Sequence, residues 1–170
     1  MSLNKKELRL QWHRLRQTLS SQRKIEAAEA LAAARFPPGI IGSFVSFRDE
    51  INTEPLNELL SSQKKLALPR IEKDRIIFCL VDRLEQLIVS PLGMHEPSFS
   101  CPLIDTPDII LVPGLAFDKK HYRLGYGKGH YDQYLKEHRT LSIGIGFKEQ
   151  LTDILPHEPH DIPLHQLLLF

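Results

Sequence analysis

The sequence predicts an α/β domain of three layers, an α/β/α sandwich with a mostly parallel sheet covered by helices on both faces. Three observations carry this. Short apolar, β-branched runs alternate with helical patterns along the chain; several of those runs are apolar throughout, as strands covered on both faces are; and 170 residues with 42% hydrophobic and 25% charged content suit one globular domain over residues 1–170. At this length folding buries roughly 68–70% of the surface the unfolded chain exposes, so a core forms without disulfides or structural metal.

The first element is a helix. From Lys5 to Leu19 the apolar residues Leu8, Trp12, Leu15 and Leu19 mark one helical face, and the other faces are basic. Ser20 or Ser21 can cap a second helix through the Ala-rich IEAAEALAAAR, which Pro37-Pro38-Gly39 ends. IIGSFVSF, residues 40–47, reads as a buried strand between Gly39 and the charged RDE. Thr53 is placed to cap a short helix, EPLNELLSSQ, with Pro55 in its first turn. KLALP, RIIFCLV, DIILVP and LSIGIGF follow as strands, and GHYDQYLKEH as a helix before the last of them. From Leu87 to Pro107 four prolines break the pattern, which predicts a covering loop; the Pro and His cluster from Pro156 to His165 is too mixed to assign.

Composition excludes several function classes. Lys and Arg number 22 against 21 Asp and Glu, a formal charge of +1, so no global field marks a nucleic-acid or membrane-surface partner. Cys79 and Cys101 stand outside any C-x-x-C pattern and read as buried or inert thiols of a reducing compartment. The opening MSLNKKELRLQW has no apolar signal region and no window is apolar enough to span a bilayer, which predicts a soluble, cytoplasmic protein. The oligomeric state is left open, a monomer being slightly favoured.

The chemistry concentrates in RLGYGKGHYD, residues 123–132. This run follows a strand and a short loop and opens a helix, where free backbone N–H groups and the helix dipole attract phosphate. Gly125, Gly127 and Gly129 let the backbone approach an anion, while Arg123 and Lys128 add charge, one as a fork and the other as a point. The spacing fits neither a P-loop, since Gly129 stands where Ser or Thr should follow Lys128, nor a dinucleotide fingerprint, whose third glycine would come one position later. Glu149 lies about 20 residues on, where a ribose-binding acid would stand, so a dinucleotide binder stays open. His157, His160, Asp161 and His165 are ligand-type side chains in one segment and keep a metal-dependent hydrolase open, although the intervening prolines preclude an H-E-x-x-H helix.

The longer stretch VPGLAFDKKHYRLGYGKGHYDQYL closely resembles the signature of the 5-formyltetrahydrofolate cyclo-ligase family. The resemblance continues through Lys5 and Arg9, SFRDEINTEPL, Leu68 to Arg70, His95 to Pro97, GFKEQ and LPHEPHDIPL, in the family's order from about Lys5 to Leu164. It implies a three-layer, Rossmann-like fold and the ATP- and magnesium-dependent closure of 5-formyltetrahydrofolate to 5,10-methenyltetrahydrofolate, with ADP and phosphate released.

Matched position by position, the resemblance implies ATP contacts at Lys5, Arg9, Arg123, Leu124, Gly125, Tyr126, Gly127, Lys128, Gly129, His130 and Tyr131, with Lys128 and Arg123 the catalytic cations. It implies folate contacts at Val45, Glu50, Tyr126, Gly127, Lys128, Gly129 and His130, and magnesium ligands at Asp132 and Asp161. Read without their neighbours, Lys5 and Arg9 are a solvated basic face, Val45 a core residue, Glu50 a loop charge, and Asp132 and Asp161 surface acids. Members often read GKGYYD where this chain reads GKGHYD, so His130 replaces an aromatic hydroxyl, which predicts some pH dependence of folate affinity. A non-catalytic nucleotide- or folate-binding module is the alternative.

Overall fold

The computed structural model describes residues 4–91 and 93–170. In chain order come helices α1 (Lys5–Thr18) and α2 (Ser21–Ala32), strand β1 (Ile41–Gly42), helix α3 (Glu54–Ser62), and strands β2 (Leu66–Glu72), β3 (Arg75–Leu80), β4 (Leu87–Val89), β5 (His95–Pro97) and β6 (Leu103–Ile104). Strands β7 (Ile109–Pro113), β8 (Ala116–Asp118) and β9 (Arg123–Leu124), helix α4 (His130–Glu137), and strands β10 (Leu141–Gly146), β11 (Leu151–Thr152) and β12 (Gln166–Leu169) complete it. No helix among the described residues is long and apolar enough to cross a membrane.

Seven strands form the central sheet in the order β12-β10-β7-β1-β2-β3-β6. The run from β12 to β2 is parallel, and β3 turns back antiparallel on β2 through Lys73 and Asp74, both at positive φ. Alternate residues of β7 face opposite layers: Ile109 and Leu111 pack with Leu31 of α2 and Leu56 and Leu60 of α3, while Ile110 and Val112 pack with Tyr134 of α4. The three layers and the mostly parallel sheet are therefore as expected.

The helices have local causes. Asn4 caps α1 by accepting the N–H groups of Lys6 and Glu7 while Glu7 accepts that of Asn4, a reciprocal capping box. Ser20 caps α2 by accepting from Arg23. Leu8 and Trp12 of α1 rest on Leu115, Ala116, Leu124 and Leu155, a small cluster separate from the two main cores, so α1 lies across β8 and β9 instead of joining the sandwich layers.

Several details differ from the sequence reading. Only Ile41 and Gly42 of the run 40–47 are strand, because beyond Ser43 the backbone turns to side chains: Thr53 Oγ1 and Asn57 Nδ2 both donate to the Phe44 carbonyl. Thr53 consequently does not cap α3 with its hydroxyl. The segment 87–107 contains the β4–β5 hairpin and the edge strand β6; Leu92 within it lies outside the described residues. β8, β9 and β11 form a separate three-stranded sheet, and β12 pairs in parallel with β10.

Close packing around β10 yields a stability prediction. A Cβ at Gly144 would stand 2.7–2.8 Å from side-chain atoms of Leu167, Leu164 and Phe117, so Gly144→Ala should cost about 1–3 kcal/mol by overpacking. A urea unfolding midpoint equal to that of the parent would contradict it.

Candidate functional site

The site lies at the carboxyl ends of the parallel strands, where the chain's connections diverge. From β1 the chain proceeds to β2 on one side, and from β7 to β10 and β12 on the other, so the crevice between β1 and β7 is a topological switch point. The loop after β1 carries Val45, Asp49 and Glu50, and the segments after β7 carry Gly114 and the glycine run. This position follows from topology before any side chain is considered.

The glycine run is an exposed turn between β9 and α4. Gly127 and Gly129 have φ of +102° and +70°, conformations that favour glycine. Gly129 occupies the cap position of α4 without a side-chain cap, which leaves the first-turn N–H groups of the helix without a partner from the cap residue. Lys128, between the two glycines, is exposed and makes no hydrogen bond or ion pair to any described residue.

Helix α1 is strapped across this run. Arg9 Nε donates to the Gly125 carbonyl at 2.9 Å, and a Cβ at Gly127 would come within 3.3 Å of the Arg9 guanidinium carbon. Lys5 Nζ lies 2.7 Å from Asp161 Oδ2 and 3.2 Å from Glu158 Oε1. Burial opposes the Lys5 charge, but hydrogen bonds to Asp161 and Glu158 outweigh it and hold the ammonium above the ordinary lysine range. Burial likewise pushes the Asp161 carboxyl up, yet Lys5 and the Glu158 N–H bring it below its ordinary value. The Asp161 share of this tie is present above about pH 4 and lost as pH falls through its lowered pKa; the Lys5 share is present below about pH 10.4 and lost as pH rises through its raised one.

Asp132 stands beside them. Arg123 Nη2 donates to Asp132 Oδ2 at 3.0 Å, and the N–H of Ile162, the residue after Asp161, donates to Asp132 Oδ1 at 3.2 Å. The Arg123 guanidinium also sits 5.4 Å from the Tyr131 ring centre, and its buried Nε has no partner among the described residues. The two aspartates thus come from adjoining segments, each held by a cation. Leu124 is buried beneath α1.

On the β1 side, Tyr126 and Glu50 meet. The Tyr126 hydroxyl donates to Glu50 Oε1 at 2.7 Å, and Glu50 Oε2 accepts the Phe47 N–H at 2.9 Å. Burial raises the Glu50 pKa, against the Phe47 and Tyr126 hydrogen bonds and the Arg16 charge. Burial and then the Glu50 charge raise the Tyr126 phenol. The outer part of the Tyr126 ring remains exposed. Val45 is half-buried against the main core, so it serves packing as well. His130 turns away from Glu50: its Nε2 lies 2.9 Å from Asp74 Oδ1 at the β2–β3 turn.

Sequence reasoning missed Arg16 and its partners. Arg16 is 1% exposed and reaches Asp49, the Gly114 carbonyl and Tyr126 at once. Its only sequence signal is its place on the Lys5–Arg9 side of α1, eleven residues beyond Lys5. The acid proposed for a ribose is otherwise occupied: Glu149 accepts both Nε and Nη2 of Arg23, at 2.7 and 2.9 Å. The histidines of the last segment do not converge either, since His157 stacks on Tyr122 with ring centres 3.9 Å apart and His165 Nδ1 lies 2.8 Å from Ser142 Oγ. No three His, Cys, Asp or Glu side chains among the described residues form a metal-binding group.

Known proteins match this chain along nearly its whole length. The sequence model described as the 5-formyltetrahydrofolate cyclo-ligase family matches residues 2–169. A 5-formyltetrahydrofolate cyclo-ligase of Mus musculus is 30% identical over 91% of this chain and 83% of its own. One from Escherichia coli K12 is 30% identical over 86% of this chain and 88% of its own. The solution structure of the Aquifex aeolicus 5,10-methenyltetrahydrofolate synthetase superposes with a TM-score of 0.87 at 30% identity, over 97% of this chain and 89% of that one.

Proposed function

This chain belongs to the 5-formyltetrahydrofolate cyclo-ligase family, and on that premise we propose that it closes 5-formyltetrahydrofolate to 5,10-methenyltetrahydrofolate using ATP. The observation that carries the reading is that one exposed glycine run has a phosphate-type face, with helix N–H groups that no side chain caps and a Lys128 that pairs with no described residue, and joins at Tyr126 a half-buried carboxylate, Glu50. Triphosphate and folate would share that run. A non-catalytic binding module is not favoured, because the relatives are named for the ligation.

A formamide carbon is a poor electrophile. Transfer of the ATP γ-phosphoryl group to the formyl oxygen turns that oxygen into a leaving group; the second folate nitrogen attacks the carbon and gives up its proton to solvent, the ring closes, and phosphate departs with the oxygen. Catalysis of phosphoryl transfer is chiefly positioning and charge neutralisation, so cations and backbone donors are what the protein must supply. Lys128 would neutralise charge on the transferring group and Arg123 would grip phosphate oxygens. Arg9 and Lys5 would approach from α1, and Gly125, Gly127, Gly129, His130 and Tyr131 would contribute backbone around the triphosphate. Glu50 would accept ring N–H groups of the reduced folate, with Val45 as apolar wall.

Magnesium fits the two aspartates. Asp132 and Asp161 provide two hard oxygen ligands on adjoining segments, the sparse set that magnesium takes when phosphate and water fill its other positions. Bound there it would neutralise triphosphate charge. Arg123 and Lys5 hold these carboxylates, and bound phosphates would compete with the carboxylates for both cations. The buried free thiols Cys79 and Cys101 suit a reducing, cytoplasmic setting.

Two experiments follow. With heavy oxygen in the formyl group, the label should leave in inorganic phosphate; label retained in the folate product, or lost to water, would exclude phosphorylation of that oxygen. The raised pKa of Glu50 means that it protonates at a higher pH than an ordinary glutamate as acidity increases, so folate affinity should begin to fall above about pH 4.3. Glu50→Gln should abolish that acid limb. An unaltered profile in that variant would show that Glu50 does not control folate binding.

A further inference from the structure

We propose that Arg16 is the positioning residue for the folate end of the site, acting through Tyr126 on Glu50; this rests on the reading above that Glu50 meets the reduced folate. A guanidinium at 1% exposure is costly unless its donors are used, and each of its three nitrogens has a partner on a different segment. Nε donates to Asp49 Oδ2 at 3.2 Å, Nη1 to the Gly114 carbonyl at 3.4 Å, and Nη2 to the Tyr126 hydroxyl at 2.7 Å. These partners come from the loop after β1, the end of β7 and the glycine run.

The hydrogen-bond chain has one direction. A guanidinium cannot accept, so the Tyr126 oxygen takes its hydrogen bond from Arg16 and turns its own proton toward Glu50 Oε1, 2.7 Å away. Glu50 Oε2 is held separately by the Phe47 N–H. Each carboxylate oxygen is thus oriented by one donor and keeps acceptor capacity for a ligand. Without Arg16 the Tyr126 hydroxyl can rotate and the orientation of Glu50 is released.

Asp49 supports the same arrangement, since its Oδ2 also lies 3.1 Å from His13 Nδ1. Lys5, Arg9 and Arg16 share α1 and span roughly 16 Å at 1.5 Å per residue, so one rigid helix sets both the phosphate and the folate ends. The two ends are still separable by chemistry. Of the groups assigned to phosphate or metal Arg16 touches only Tyr126, and there only the hydroxyl that donates to Glu50, so its loss should be felt on the folate side.

The test compares dissociation constants for 5-formyltetrahydrofolate and for a non-hydrolysable ATP analogue, with thermal melting, in the parent, Arg16→Met, Arg16→Lys, Tyr126→Phe and the Met/Phe double variant. Folate affinity should fall about tenfold in Arg16→Met and in Tyr126→Phe, while affinity for the ATP analogue changes less than about twofold. Because the residues act in one chain, the double variant should be no worse than Arg16→Met alone, and Arg16→Lys should recover part of the loss. Unchanged folate affinity, equal weakening of both ligands as a mere structural staple would give, or single effects that multiply in the double variant would each overturn the proposal. If Arg16→Met does not fold, Arg16→Lys and Tyr126→Phe with their double variant form the same cycle under the same criteria. Turnover of the parent, followed alongside, tests the ligase reading separately, because these affinities are measured without catalysis.

Discussion

Lys128→Ala should lower kcat about a hundred- to a thousandfold, the scale of removing one preorganised group that meets developing charge. The expectation follows from where the residue stands. Lys128 lies between two positive-φ glycines, is exposed, and makes no hydrogen bond to a described residue, so its ammonium can meet a ligand without breaking a hydrogen bond to one of them. For the same reason its loss should leave stability within about 0.5 kcal/mol of the parent. Lys128→Arg should recover only part of the rate, because a planar fork does not reproduce a point charge in a tight turn. Turnover within tenfold of the parent would show that Lys128 is not the cation of phosphoryl transfer.

Asp132→Asn should also lose turnover, by about a hundredfold or more, and should shift the magnesium requirement upward by at least tenfold. An asparagine keeps one oxygen, so it can accept the Ile162 N–H or face Arg123, but it cannot neutralise the Arg123 guanidinium. With the Arg123 side chain 6% exposed, breaking this pair should cost about 3–5 kcal/mol of stability, which melting curves would record. Folate binding should survive better than in Lys128→Ala, because Glu50 and Tyr126 are held through other partners. Full activity across magnesium concentrations in Asp132→Asn would remove the metal assignment.

Legibility followed how local each cause was. Helices α1 and α2 carry their own signals: Leu8 and Trp12 mark the half-buried stripe of α1, Ser20 the start of α2, and Pro37 a stop. β7 is apolar on both faces because both faces are covered. β8, β9 and β11 escaped because strands of two or three residues have no period to detect. The LLLF terminus escaped because a short apolar run after a proline-rich segment acquires strand character only from its partner β10.

Within the site, residues 123–132 were legible as a contiguous motif, while the Arg16 network was not. An arginine on a basic helix face reads as solvated. Its burial arises because Asp49, Gly114 and Tyr126, distant in the chain, converge on it. Glu149 shows the converse, an acid at a suggestive spacing that tertiary structure commits to Arg23.

The central claim is catalytic, and the most direct measurement is the formation of methenyl-folate followed spectrally with purified protein and 5-formyltetrahydrofolate, with ADP release measured in parallel. Product should appear only when ATP and magnesium are both present, with one ADP formed per methenyl-folate. Folate and nucleotide binding with no product under those conditions, or product formed at the same rate without ATP, would contradict the account.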